Sequence, residues 1–224
     1  MIKKINVVGI QLDNYTVREM IMNVERMLSD NIFECIQEVD MDTLSLASND
    51  EQVKEMLDSL TYTIISDVGI LRAAGVETMQ RKHEIEEHDF FFELLKRIER
   101  NHKTVFLLAN KSENITWLEE IISNEFPKVQ VVGKIAIDEA VCGEAVVNDI
   151  NAETPDVIIS TMPSPIQEHF LCENKDKLST NLWYGMGDGR FDKKNRGLLG
   201  KILNCIKINR LAKNINEYEE QEEK

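Results

Sequence analysis

The chain has 224 residues, 42% of them hydrophobic, which is enough for one well-packed core and too little for two full-sized domains. Lys and Arg number 26 against 40 Asp and Glu, and the resulting net charge of −14 repels phosphate backbones and argues against general nucleic-acid binding. Cys35, Cys142, Cys172 and Cys205 are scattered with no CxxC pair, and no window reaches the roughly 18 apolar residues of a spanning helix. A cytoplasmic protein is expected, without zinc cluster, disulfide framework, signal peptide or integral membrane segment.

From the N-terminus, β-branched residues at 5–10 predict a first strand. Thr16 and Glu19 then have capping-box spacing, opening a helix with Met20, Val24 and Met27 on one face. Further strands are predicted at 43–47, 62–65, 104–108, 129–132, 157–160 and 182–185, with helices at 51–60, 89–100, 113–124 and 165–174. This alternation implies a mainly parallel sheet with helices on both faces, whose sites gather at the carboxyl ends of the strands. One α/β domain over 1–190, a basic amphipathic helical extension over 191–216 and a solvated acidic tail over 217–224 form the simplest partition.

Several segments carry residues suited to chemistry. Asn49 is expected where a predicted strand gives way to a helix, as a ligand contact or as a helix N-cap. Asp67 ends the run 62–66 before Val68-Gly69, a placement that suits a general base and equally a cap. Thr161 to Glu168 follow an apolar strand, and Pro165 suits the first turn of a helix whose free amides would face a diphosphate. Gln167 and Glu168 then fall in that turn, beside the ligand or merely complementing the helix dipole.

Gly185, Gly187 and Gly189, with Asp188, Arg190 and Asp192, form a glycine-rich turn that lets the backbone approach a ligand, with Arg190 as a bidentate phosphate donor. The DxD tripeptide Asp40-Met41-Asp42 has the form of a metal site, but such tripeptides are common by chance in so acidic a chain, and no metal is expected. His83, His88, His102 and His169 show no metal-ligand spacing. The segment 193–213 alternates Lys and Arg with Leu and Ile; it suits either an anionic membrane surface or a terminal helix packed on the body.

In this order the segments resemble the WecG/TagA/CpsF family of bacterial glycosyltransferases, glycosyltransferase family 26. The resemblance runs through Val8-Gly9-Ile10, Asn49-Asp50-Glu51 (set against the family's threonine-x-asparagine-x-glutamate stretch), Asp67, Asp89, Val105-Phe106-Leu107-Leu108, Phe126-Pro127, Val132-Gly133, Pro155-Asp156, Pro165-Ile166-Gln167-Glu168 and Gly185 to Asp192. It implies a Rossmann-like fold and inverting transfer of an N-acetylhexosamine-type sugar from a UDP donor to a polyprenyl-diphosphate-linked acceptor, without an obligatory metal or other cofactor. It also implies Asp67 as base, Asn49 and Gln167 as donor or acceptor contacts, and peripheral recruitment to the inner face of the membrane.

Departures from the family pattern are Ala47 for a threonine, Val68 for a glycine, Glu84 for an arginine and Ile166 for a lysine. Glu84 would repel a departing diphosphate unless Arg72, Arg81 or Lys82 substitutes. A degenerate member that binds a nucleotide sugar or a partner protein without transferring sugar is the alternative reading. An unrelated dinucleotide-binding domain is disfavoured, because Val8-Gly9-Ile10-Gln11 stands where G-x-G-x-x-G would be required. The oligomeric state, including a homo-oligomer, is left open.

Overall fold

The structure, a computed structural model, describes residues 3–30, 32–137, 143–188, 208 and 211–215. Two short strands come first, β1 (Lys4–Val7) and β2 (Ile10–Asp13), paired antiparallel. The predicted strand at 5–10 is therefore a hairpin. Its two-residue loop places Val8 at φ 53° and Gly9 at φ 79°, the left-handed pair that matches the twist of the flanking strands. A β-branched residue is strained there, and packing of Val8 against the hydrophobic cluster beneath the hairpin offsets the cost.

Helix α1 (Val17–Met27) begins with the capping box read from the sequence: the Thr16 hydroxyl accepts from the Glu19 amide, and the Glu19 carboxylate accepts from the Thr16 amide. It leads to β3 (Glu34–Val39), which the sequence reading missed. The segment 43–47, predicted as a strand, is instead part of α2 (Met41–Ala47). Asp40 caps it by accepting from the Thr43 amide at 2.7 Å, and Leu44 and Ala47, one turn apart, share its buried face.

The remaining elements are α3 (Glu51–Asp58), β4 (Tyr62–Ile65), α4 (Val68–Ala73), α5 (Met79–Glu86), α6 (Asp89–Arg100), β5 (Thr104–Ala109), α7 (Ser112–Glu125), β6 (Gln130–Ala136), α8 (Gly143–Glu153), β7 (Val157–Ser160), α9 (Ile166–Asn174) and β8 (Leu182–Gly185). Strands β3 to β8 form one six-stranded sheet in the order β4-β3-β8-β7-β5-β6, every pair parallel, as a Rossmann-like α/β arrangement requires.

Helices α1, α6 and α7 cover one face of the sheet through Met20, Val24, Phe91, Leu94, Leu118 and their neighbours. On the other face α8 and α9 pack over Phe106, Ile158 and Trp183, and burial there pushes the Cys35 thiol up to about 12. A third cluster joins the hairpin, α2, α3 and α4 around Val39 and Ile65, and Ile208, Leu211 and Ile215 of the C-terminal segment pack into it. Of the two readings of 193–213, Ile208 and Leu211 fit the packed helix; most of the basic residues, and the tail, lie outside the described residues.

The edge of the sheet at β4 is closed by β2. The Asp13 carboxylate accepts from the Thr63 amide at 3.0 Å while the Asp13 amide donates to the Thr63 hydroxyl at 2.7 Å, pairing backbone groups that an edge strand would leave open.

Candidate active site

Parallel register brings the loops after β3, β4, β7 and β8 to one edge of the sheet. At the tip of β4, Asp67 is the N-cap of α4, its Oδ1 accepting from the Gly69 amide at 2.6 Å. A Cβ built on Gly69 would stand 2.9 Å from that oxygen, 2.9 Å from Ile208 and 3.0 Å from Met41, so Asp67, α2 and the C-terminal segment meet at this point.

At the tip of β3, alternate side chains point to opposite faces. Glu38 accepts from the Tyr184 hydroxyl beneath α6, whereas Gln37 donates through Nε2 to Glu168 beneath α9. Ser164 donates to the same Glu168 oxygen at 2.6 Å, the Thr43 hydroxyl lies 3.2 Å from Ser164, and Thr43 also donates to Asp40 at 2.9 Å. A continuous polar chain thus links the N-termini of α2 and α9.

At the tips of β7 and β8, Thr161 and Glu168 are fully buried and Gln167 is 1% exposed. Thr161 Oγ1, Gln167 Oε1, Glu168 Oε2 and Gln37 Oε1 are buried with no hydrogen-bond partner among the described residues. Each such atom costs about 1–3 kcal/mol when it stays unpaired, so four of them around the three adjoining tips of β3, β8 and β7 form a group of acceptors that a polar ligand or ordered water could satisfy. Gln167 lies directly over Gly185, and Gly187 follows at φ 64°. Behind the loop, His169 Nε2 lies 2.9 Å from Asp50, the N-cap of α3; the Val53 amide, aided by His169, holds the Asp50 carboxyl below the usual range.

Beside the tips of β3 and β4 opens a small cleft of about 20 Å³, lined by Asp13, Tyr15, Glu38, Ser66, Arg81 and Glu84 among others. Arg81 is 4% exposed and Glu84 8%. Arg81 Nη1 donates to Glu84 at 2.7 Å, and Arg81 Nε donates to Asn14 Oδ1 at 3.3 Å. The second hydrogen-bonding role of Glu84 is structural: the same oxygen accepts from the Val17 amide at the start of α1 at 3.2 Å, and the other accepts from Gln80 at 2.9 Å.

Of the residues singled out from the sequence, Asp67, Thr161 and Gly187 are carried by the loops at this edge, and Gln167 and Glu168 by the first turn of α9. Asn49 is not. It sits exposed in the turn between α2 and α3, where its amide donates to the Ser45 carbonyl at 2.9 Å, and Asp50 rather than Asn49 caps α3. The polar positions at a strand tip in this region are Glu38 and Asp40, which the sequence reading did not find because the strand that carries them was not recognised.

Gly189, Arg190 and Asp192 lie outside the described residues. Asp40 of the DxD tripeptide is spent on capping, and no group of three or more His, Cys, Asp or Glu among the described residues is placed to hold a metal ion. Of the cations considered as substitutes for the family arginine, Arg72 pairs with Glu77 at 3.0 Å on an exposed helix and Lys82 faces Glu86, whereas Arg81 lines the cleft.

Comparison with known proteins agrees with this architecture. The model of the glycosyl transferase WecG/TagA/CpsF family matches residues 5–192. An N-acetylglucosaminyldiphosphoundecaprenol N-acetyl-beta-D-mannosaminyltransferase of Staphylococcus aureus strain NCTC 8325 / PS 47 is 22% identical over 191 residues, covering 82% of this chain and 73% of the relative. Its counterpart in strain MRSA252 aligns with the same identity and coverage.

Proposed function

The chain belongs to the WecG/TagA/CpsF family of glycosyltransferases, and from that premise we propose that it moves an N-acetylhexosamine-type sugar from a UDP donor to a polyprenyl-diphosphate-linked acceptor in cell-wall or exopolysaccharide synthesis. The observation that carries the proposal is the presence on one sheet edge of a carboxylate, Asp67, and a loop, Thr161 to Glu168, with unpaired buried polar atoms.

In the proposed step an acceptor hydroxyl attacks the anomeric carbon of the donor sugar as Asp67 takes the hydroxyl proton. The bond from that carbon to the diphosphate breaks, UDP leaves with the electron pair, and attack from the opposite side inverts the configuration. Thr161, Gln167 and Glu168 offer hydrogen-bonding atoms to donor or acceptor hydroxyls. No metal or other cofactor is assigned a step, so transfer is expected to persist in a chelator. No helix of the described residues is long and apolar enough to cross a membrane. On this reading the lipid-linked acceptor is met peripherally at the inner face of the cell membrane, with basic residues of 193–213 attracted to anionic headgroups.

The test is UDP release from UDP-N-acetylmannosamine or UDP-N-acetylglucosamine in the presence of a polyprenyl-diphosphate-linked amino sugar. Asp67→Asn is expected to lower the rate on the order of a hundredfold or more while UDP still raises the melting temperature. Equal release by both proteins removes Asp67 from the mechanism. A second reading, a protein that binds the nucleotide sugar without transferring it, draws on the carboxylates of Asp13, Glu38 and Glu84 that line the cleft. Its signature is thermal stabilisation by UDP without release under any acceptor.

A further inference from the structure

We propose that His169 is a positioning residue for glycosyl transfer: its bond to Asp50 fixes the first turn of α9, and with it Gln167 and Glu168, against the N-terminus of α3. The inference rests on the glycosyl-transfer reading above and deepens it by naming what holds that turn in place from outside the site.

Three observations carry it. His169 Nε2 lies 2.9 Å from Asp50 Oδ2, while Asp50 Oδ1 accepts from the Gln52 and Val53 amides at 3.0 and 3.2 Å. One carboxylate thus caps α3 with one oxygen and grips α9 with the other. The Val53 amide and His169 hold the Asp50 carboxyl below the usual range, so both of its oxygens accept and the ring Nε2–H is the donor.

The second observation is the way α9 begins. Its N-cap, Pro165, makes no side-chain cap, so the first turn is not fixed locally. The inner side of the turn is anchored through Glu168, which accepts from Gln37 and, at 2.6 Å, from Ser164. The outer side is anchored by the next residue, His169. Two further polar contacts between the helices, Cys172 Sγ to the Gln52 carbonyl at 3.6 Å and Lys175 Nζ to the Ser59 hydroxyl at 3.4 Å, are longer and lie further along α9, away from the site.

The third is the fit of Gln167, whose side-chain amide fills the space above Gly185 so closely that an added Cβ would stand 2.6 Å from it. A shift of the turn therefore moves Gln167 against β8 or off it, and a displacement of about 1 Å in a substrate-positioning group is enough to lower activity many-fold. The side chains of His169 and Asp50 are 38% and 31% exposed, a setting in which a pair adds little to global stability. Its loss should register in the site before it registers in melting.

The test compares His169→Leu, His169→Gln and Asp50→Ser with the native protein in thermal melting and in UDP release. The donors are UDP-N-acetylmannosamine and UDP-N-acetylglucosamine, with a polyprenyl-diphosphate-linked amino sugar as acceptor. Leucine removes the donor, glutamine returns an N–H near the place of Nε2, and serine keeps a cap for α3 while leaving no oxygen for His169. In His169→Leu and in Asp50→Ser the expected result is a KM for the UDP-sugar raised about three- to fivefold with kcat within about twofold of native. His169→Gln should stay near native, all three should melt within a few degrees of the native protein, and the double variant His169→Leu with Asp50→Ser should be no worse than either single change.

Native KM in His169→Leu and Asp50→Ser overturns the inference while leaving the proposed function standing, since the pair would then serve the fold alone. His169→Gln as impaired as His169→Leu also overturns it, because the N–H would be irrelevant. No UDP release by the native protein from either donor overturns the proposed function and the inference with it. Either of the two disabling variants decides the matter should the other fail to fold.

Discussion

The side-chain amide of Gln167 occupies the space that a Cβ on residue 185 would need: an added methyl at Gly185 would stand 2.6 Å from both Nε2 and Oε1 of Gln167. The glycine is thus matched to a buried glutamine on the helix that follows β7, across the tips of two paired strands. Gly185→Ala is expected to push Gln167 out of its position, destabilising the protein by about 1–3 kcal/mol and raising KM for the UDP-sugar. In Gly185→Ala with Gln167→Ala the clash is gone, so the two losses of stability should not add; strict additivity by thermal melting would show that they act separately.

Glu84→Ala leaves Arg81 as a buried cation deprived of its carboxylate and the first amide of α1 without its acceptor. The expected loss is about 3–5 kcal/mol, a fall in Tm on the order of 10 °C. Glu84→Gln keeps a carbonyl oxygen for the Val17 amide and should cost clearly less. Similar Tm values for the two variants would mean that the charge of Glu84 contributes nothing to the fold.

The chain Asp40, Thr43, Ser164, Glu168, Gln37 predicts coupling between residues 121 positions apart in sequence. Thr43→Val and Ser164→Ala are each expected to cost about 1 kcal/mol, with a double-mutant interaction energy of at least about 0.5 kcal/mol. Additive denaturation midpoints would indicate that α2 and the loop before α9 are held by packing alone.

Acid stability should report Asp156, which ties the start of β7 to the start of β5. Burial, the largest single influence, raises its pKa, but the Thr104 amide, Lys103 and the Thr104 hydroxyl together outweigh it and leave the carboxyl below its ordinary value. A folded pKa below the unfolded one gives stability that is present above the unfolded value, about 3.9, and is lost as pH falls through the folded value. The gap in stability between the native protein and Asp156→Asn should therefore be level above about pH 5 and close on further acidification; a gap that widens with acid would reverse the assignment.

Much of this protein was legible in its residues alone. Val157–Ser160 and Leu182–Gly185 are continuous apolar runs that suit only strands buried on both faces, and the Thr16 and Glu19 spacing announced the start of α1. Asp67, Gln167 and Glu168 could be placed at strand tips because the strands before them were unmistakable. Local periodicity and capping chemistry act over a few residues, so they can be read without knowing what lies across the sheet.

Strand β3 could not be read this way, because Glu34, Gln37 and Glu38 break its apolar pattern and are tolerated only through Arg26, Glu168 and Tyr184, partners that come from elsewhere in the chain. Without β3, the segment of α2 reads as the strand and Asn49 as its tip, and Glu38 and Asp40 carry no local signal. The meaning of Glu84 was likewise undetermined in sequence, where an acid in place of an arginine reads as repulsion. Only the tertiary structure, by burying Glu84 against Arg81 and the first amide of α1, decided that its charge is compensated, since the cost of a buried charge depends on the partners that folding brings to it.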